Sequence, residues 1–313
     1  MFDAIKPVAL RAGDPVRVVS LSSPVDEARL RKGVAEVERF GYRVKIDTDR
    51  VLANDGFFAG TVAERTSQLD QALTEGDTKA VICSRGGYGA NYLLDSWTLR
   101  ASSPKIFCGY SDLTTLQIFL WQKYQWVTLY GPMAAAGLDA GAGAPCGYEA
   151  ASFKSALTET EKGWAIPLEG VDFISKGGAE GILLGGCLTL IYTAIGTPWA
   201  LDTTGAILLL EDRGMKPWQV DRALMHLKQT GALRSVKGIL LGEFPECEGP
   251  AGTETVRDVA VRILGPLGVP VIWGAAVGHT KRAMVTVPFG VRARLTAGTS
   301  CILETLEPAC RAS

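Results

Sequence analysis

Residues 105–123 read KIFCGYSDLTTLQIFLWQK. A short, mostly apolar run, Lys105–Gly109, stops at a glycine. A polar turn, Tyr110-Ser111-Asp112, follows, and from Leu113 to Lys123 apolar residues recur at helical spacing. Strand, turn and helix in succession make half of a βαβ unit. Upstream the same order repeats. Val16–Leu21 (VRVVSL) reads as a strand, and Asp26–Phe40 as a helix with Leu30, Val34, Val37 and Phe40 on one face and Gly41 closing it. Arg43–Ile46 reads as a strand, and Thr61–Leu73 as a helix whose Thr61 and Glu64 have capping-box spacing. Ala80–Cys83 is a third strand, ending in the glycine turn Arg85–Gly89. Short apolar strands between amphipathic helices predict a parallel sheet covered on both faces.

Beyond this block lies Ala134–Gly147, AAAGLDAGAGAPCG, an Ala/Gly-rich stretch that reads as a linker. A helix is expected near Tyr148–Leu157 and another over Trp218–Thr230, with Val220, Leu224 and Leu227 on one side. Gly181–Leu184, Ala206–Leu210, Gly238–Leu241 and Val269–Ile272 read as strands. Val285–Pro288, Val291–Leu295 and Cys301–Glu304 read as short antiparallel strands. The expected architecture is α/β and two-lobed. An N-terminal parallel-sheet lobe spans 1–137, a linker and connecting helix 138–178, and a C-terminal mixed lobe 179–313. A site is expected where the lobes meet, a common place for pockets.

Composition narrows the function. Of 313 residues, 47% are apolar and 21% charged, which excludes a disordered chain. Lys+Arg is 32 against Asp+Glu 33, a balance that argues against nucleic acid as a partner. With only His226 and His279, a multi-histidine metal centre is nearly excluded, and no metal or other cofactor is expected. The seven cysteines, Cys83, Cys108, Cys146, Cys187, Cys247, Cys301 and Cys310, form no CxxC pair. They fit a reducing, cytoplasmic setting. The start, MFDAIKPVALRAGD, has no basic-then-apolar pattern of a signal peptide. The uncharged stretch Gly181–Leu201 is interrupted by glycines and a proline. It reads as a buried strand, turn and short helix rather than a membrane span.

Four constellations can carry chemistry. Ser111 sits where a strand turns into a helix. There a serine can project its Oγ beside free N–H groups, or Ser111 or Asp112 can simply cap the helix. In Ser84-Arg85-Gly86-Gly87-Tyr88-Gly89, adjacent glycines can expose N–H groups to an anion, or merely make a tight turn. The run Ile207–Leu210 ends in Glu211-Asp212-Arg213. Strand alternation sends the two acids to opposite sides, so one can face a site; the plain reading is a surface pair with Arg213 as counter-ion. His279 follows Gly278 in a loop, where functional residues concentrate, whereas His226 lies mid-helix. A turn serine, a loop histidine and a strand-end acid are the parts of a nucleophile, base and orienting carboxylate.

The ordered set SRGGYGANYLLD (84–95), CGYSDLTTLQ (108–117), YGPM (130–133), EGILLGGCLTLIYTAIGTPW (180–199), ILLLEDRGMKPWQVDRALMHL (207–227), KGILLGEF (237–244) and VGHTKRAMVTVPFGVRARL (277–295) resembles the LD-carboxypeptidase family of serine peptidases. That family includes muramoyltetrapeptide carboxypeptidase and the microcin C self-immunity peptidase. The resemblance implies Ser111 as nucleophile, Glu211 as acid and His279 as base. It implies an oxyanion hole of the Gly87 and Asp112 backbone N–H groups, a groove between two lobes, and a homodimer. One departure is visible: the family commonly reads G-G-N-L where this chain has Gly185-Gly186-Cys187-Leu188.

The implied activity is release of terminal D-alanine from murein tetrapeptides in peptidoglycan recycling, by a cytoplasmic serine carboxypeptidase with a small peptide or muropeptide as its partner. The G-T-P-W stretch and the chain length favour the recycling members. Hydrolysis of a peptidyl-nucleotide or acyl-sulfamoyl amide, as in microcin immunity, is the alternative within the class. A non-catalytic two-lobed binder of small anions, or a nucleotide-dependent enzyme using the Gly86–Gly89 turn, would be alternatives outside it. Arg85, Arg213, Arg222, Lys281 and Arg282 are the cations near the motifs, and their order of importance is not legible.

Overall fold

The computed structural model describes residues 4–95, 97–101 and 103–313. In the N-terminal half, β1 (Pro15–Val19), α1 (Glu27–Arg39), β2 (Arg43–Lys45), α2 (Thr48–Val51), α3 (Val62–Thr74), β3 (Ala80–Cys83), β4 (Ile106–Gly109), α4 (Thr114–Tyr124), β5 (Thr128–Tyr130) and α5 (Ala150–Thr158) follow one another. The rest comprises β6 (Ala165–Ile166), β7 (Asp172–Ser175), β8 (Gly177–Cys187), α6 (Leu188–Thr193), β9 (Ala206–Glu211), α7 (Pro217–Gln229), β10 (Gly238–Gly242), α8 (Val256–Leu264), β11 (Val271–Ala275), β12 (Val287–Phe289), β13 (Arg292–Ala297) and β14 (Ile302–Thr305).

Among the described residues these strands form two sheets. The first runs β12-β5-β4-β3-β1-β2 and is parallel except for β12. The second runs β6-β14-β13-β8-β9-β10-β11-β7, parallel over β8 to β11 and antiparallel at both ends. Every residue of β3, β4, β9 and β10 is buried, as parallel strands covered on both faces require. Helix starts follow their caps. Asp26 accepts the Arg29 N–H at 2.9 Å, Thr61 and Glu64 complete the expected capping box, and Pro217 opens α7.

The two-lobed mixed α/β architecture matches the expectation from sequence, with two differences. Of the terminal antiparallel strands, β12 does not join β13 and β14. It crosses back to pair with β5, Val287 against Tyr130, in the first sheet. The lobes therefore share a core, in which Tyr130 and Trp121 pack with Leu183, Val287 and Phe289. The Ala/Gly-rich stretch read as a linker is packed over 134–138, where all but Ala136 are buried, and is largely exposed over 140–146. Ala134 and Ala135 donate N–H groups to the Cys83 and Ser84 carbonyls, and Leu138 is buried. Small side chains suit it because the Ala134 carbonyl lies against Gly33 of α1, where a Cβ would collide with it.

The Gly181–Leu201 stretch contains the end of β8 and the short α6. No helix among the described residues is long and apolar enough to cross a membrane.

Candidate active site

The chemistry-bearing residues sit at the C-terminal ends of parallel strands. Gly86 and Gly87 follow β3, Ser111 follows β4, Glu211 ends β9, and His279 lies beyond β11. Open α/β sheets place ligands at this edge. Ser111, His279, Gly86 and Gly87 line one cavity of about 300 Å³ at the lobe junction.

Ser111 is held at φ +63, a left-handed backbone that a non-glycine residue adopts at some energetic expense. A short 3₁₀ turn, Ser111–Leu113, then feeds α4. The glycine turn packs directly on Ser111. A Cβ on Gly86 would stand 2.9 Å from Ser111 Cβ and 3.1 Å from its Oγ. Gly87 has φ +117, and a Cβ there would strike Ser23 Oγ, which accepts the Tyr88 N–H at 3.1 Å. Glycine at both positions is thus required by space, and at Gly87 also by conformation.

Glu211 is fully buried, and its Oε2 accepts the His279 backbone N–H and faces the His279 Nδ1, each at 2.8 Å. Its Oε1 accepts the Tyr130 hydroxyl at 2.5 Å. Glycines make room for it: a Cβ on Gly278 would lie 2.5 Å from Glu211 Cδ, and one on Gly242 2.5 Å from Glu211 Cβ. Burial works against both charges, but the pairing prevails. The Glu211 pKa is held below the ordinary carboxylate value and that of His279 above the ordinary imidazole value. The Tyr110 ring packs edge-on to His279 with centroids 5.2 Å apart, limiting its rotation. Ser111 and His279 face the same cavity, and no hydrogen bond joins Ser111 Oγ to the imidazole among the described residues.

The neighbouring acids are structural. Asp212 Oδ2 accepts the Thr189 N–H and hydroxyl, both at 2.7 Å, anchoring α6. Glu211 and Asp212 are both buried and are no surface pair, and Arg213 pairs instead with Glu246 at 2.6 Å. Asp112 turns its side chain away from the cavity, accepting Ser22 Oγ at 2.7 Å and the Ala90 N–H at 2.8 Å. Burial raises its pKa in spite of these bonds. Its backbone N–H lies at a helix start, where such donors lack intrahelical partners, and Asp112 is not among the residues that line the cavity. Cys187 does not line the cavity: it is buried, gives its N–H to Thr114 Oγ1 at 3.1 Å, and has its thiol 3.5 Å from Asp212 Oδ2. His226 is exposed on α7, away from the site.

The structure ranks the cations. Arg85, Arg213 and Lys281 line the cavity, together with Arg29, which the sequence reading did not single out. Arg29 is bound to Asp139 at 2.6 Å and Arg213 to Glu246. Arg85 and Lys281 have no carboxylate partner among the described residues. Arg282 is tied to Glu243 and to the Glu169 and Gly274 carbonyls, bracing the His279 loop, and Arg222 lines a different groove. The cavity wall is therefore net positive, with two cations free to meet an anion. Nucleophilic acyl transfer is the chemistry such a set can perform.

Residues 16–131 match the LD-carboxypeptidase N-terminal domain and residues 180–295 the LD-carboxypeptidase C-terminal domain. A Bacillus subtilis protein named a probable murein peptide carboxypeptidase is 34% identical, over 96% of this chain and 94% of its own. The crystal structure of a muramoyltetrapeptide carboxypeptidase from Oxalobacter formigenes is 28% identical with a TM-score of 0.80, covering 96% of this chain and 100% of that one. The microcin self-immunity protein MccF, solved with glutamyl sulfamoyl guanosine, shares the fold at a TM-score of 0.88 and 23% identity, covering 98% and 99% of the two chains. The chain belongs to the LD-carboxypeptidase family, a family of hydrolases.

Proposed function

We propose that this protein is a serine carboxypeptidase that releases terminal D-alanine from murein tetrapeptides, in peptidoglycan recycling. The observation that carries the reading is the buried Glu211 carboxylate, 2.8 Å from His279 Nδ1, in a cavity that His279 shares with the strained Ser111. An ionised carboxylate only accepts, so Nδ1 carries the proton and Nε2 is left as the base. His279 takes the Ser111 proton as Oγ attacks the peptide carbonyl, and Glu211 holds the imidazolium. The N–H groups of Gly87 and Asp112 receive the oxyanion, each worth roughly 3–4 kcal/mol. His279 then protonates the departing D-alanine amine, and water, deprotonated by the same imidazole, hydrolyses the acyl-enzyme. Arg85 and Lys281 suit a substrate ending in a carboxylate, because a charged group entering the cavity needs a partner.

Homodimer formation and a cytoplasmic location belong to the same proposal. The latter is supported by the seven free cysteines, of which Cys83, Cys108, Cys187, Cys247 and Cys310 are buried.

The test is incubation with L-Ala-γ-D-Glu-meso-diaminopimelate-D-Ala, in parallel with an aminoacyl-sulfamoyl adenosine, and mass spectrometry of the products. Loss of alanine from the tetrapeptide, abolished in Ser111→Ala, is the expected result. Cleavage of the sulfamoyl compound alone would assign the microcin-immunity type of reaction instead.

A further inference from the structure

We infer that Tyr130 is a positioning residue of this site, tying the nucleophile turn of one sheet to the acid of the other. Tyr130 ends β5, beside Gly109 of β4 on one side and Val287 of β12 on the other. Its side chain is fully buried, with its ring 5.0 Å from Phe289 and 6.1 Å from Tyr110 between centroids. The hydroxyl accepts the Ser111 N–H at 3.3 Å and donates to Glu211 Oε1 at 2.5 Å. The direction follows from chemistry: an ionised carboxylate cannot donate, so the hydroxyl hydrogen points at Glu211 and its lone pair is left for Ser111. Burial and the adjacent Glu211 push the Tyr130 pKa far up, so it remains a donor at every working pH.

Two consequences follow. With Oε1 held by Tyr130, the carboxylate cannot swivel, and Oε2 stays aimed at His279. With its N–H bound to Tyr130, the Ser111 backbone is braced in its left-handed conformation. That N–H is then not free for an oxyanion, which leaves the task to Gly87 and Asp112. One hydroxyl thereby sets the nucleophile and the acid relative to each other across the lobe junction. Phenylalanine would fill the same space and leave a buried carboxylate oxygen and an N–H without partners.

The inference rests on the triad reading above, so its test carries a readout independent of turnover. Tyr130→Phe and a Tyr130→3-fluorotyrosine variant are compared with the wild type by kcat and KM on the tetrapeptide, and by NMR titration of the His279 ring without substrate. In Tyr130→Phe the carboxylate charge is no longer shared with a donor and binds the imidazolium more strongly. The His279 titration therefore moves to higher pH, by about one pH unit, and kcat falls on the order of ten-fold with little change in KM. Fluorotyrosine, a stronger donor, moves the titration to lower pH. A Tyr130→Phe protein that melts earlier yet keeps the wild-type kcat and titration would make Tyr130 a packing residue and overturn the inference. If Tyr130→Phe does not fold, an unchanged titration in the fluorotyrosine protein overturns it equally. Should the wild type leave the tetrapeptide intact, the proposed substrate fails, while the His279 titration still decides the role of Tyr130.

Discussion

Glu211 Oε2 meets His279 twice, at the backbone N–H and at the ring Nδ1, both at 2.8 Å. The backbone bond fixes where the loop lies and the ring bond fixes which way the imidazole faces. One oxygen therefore determines the position, orientation and tautomer of the imidazole. Gly278 makes this possible, because its φ of +62 brings the loop back over a carboxylate that a Cβ would displace.

Mutations of the three site residues should differ in stability as well as in activity. Ser111→Ala removes a cavity-lining hydroxyl and should fold normally; His279→Ala should fold but melt earlier, because it leaves the buried Glu211 carboxylate without its partner, and both should lower turnover by on the order of 10³-fold or more. Glu211→Ala should be the milder in turnover but should lower the melting temperature. It empties a fully buried position and orphans the Tyr130 hydroxyl and the His279 N–H, at about 1–3 kcal/mol. His226→Ala should be neutral in both assays. Inactivation by His226→Ala with retention in His279→Ala would reassign the base.

The pH dependence follows from the pair. His279 must be neutral to accept the serine proton, and its pKa is raised, so kcat/KM should climb through an apparent pKa above the roughly 6.5 of free imidazole. Glu211, held low, stays ionised throughout. Stability runs the other way. The raised imidazolium pKa adds stability that is fully present below the ordinary value and fades as pH rises through the folded one. Paired rate and melting profiles from pH 5 to about 9 should therefore show opposite slopes across the same window.

Arg85 and Lys281 should act on binding. Arg85→Ala and Lys281→Ala should each raise KM several-fold, with smaller effects on kcat, because each removes an unpaired cation from the wall. Arg282→Ala should instead lower kcat and stability together, since Arg282 braces the His279 loop through Glu243. Equal and purely KM effects from all three would contradict this division.

Chelation should leave activity intact. Among the described residues no group of three or more His, Cys, Asp or Glu is placed to hold a metal, and the proposed mechanism assigns both roles expected of a metal, activating a nucleophile and holding an oxyanion, to protein groups. Prolonged EDTA treatment followed by a rate measurement checks it; loss with recovery on adding zinc would overturn the serine mechanism.

Much of this was legible in the chain. Apolar runs ending in glycine or acid located β3, β4 and β9, and helix caps located α1 and α3, because local chemistry dictates both. Ser111 and Glu211 stand out as polar residues at strand ends, and His279 as a polar residue in a glycine loop. Tyr130 did not: β5 is three residues long, and a tyrosine ending a buried strand looks like core until the partner of its hydroxyl is known. Likewise β12, expected among the short antiparallel strands of the C-terminal lobe, pairs with β5 over a hundred residues upstream, a long-range choice that periodicity cannot register. Arg29 lies on the half-exposed face of an ordinary helix. Only folding brings that helix to the cavity, against the packed Ala134 and Ala135 of a segment whose small residues resemble a linker in composition. The short helix α8, absent from the elements expected of the chain, carries a capping box at Thr255 and Asp258 whose signal is present in the sequence.

The central claim is that this site cleaves an L,D bond, and stereochemistry tests it most directly. A D-residue must present its carboxylate and methyl on fixed sides of Ser111, within about 3–3.5 Å of attack geometry. The mirror-image terminus would leave a cation or the substrate carboxylate unpaired, at about 1–3 kcal/mol or more. The decisive measurement is alanine release from L-Ala-γ-D-Glu-meso-diaminopimelate-D-Ala against the same peptide ending in L-alanine. The account predicts at least about 10²-fold faster release of the D-residue, weakened by amidation of the terminal carboxylate; equal rates on the two peptides would contradict it and mark a broader amidase using the same three residues.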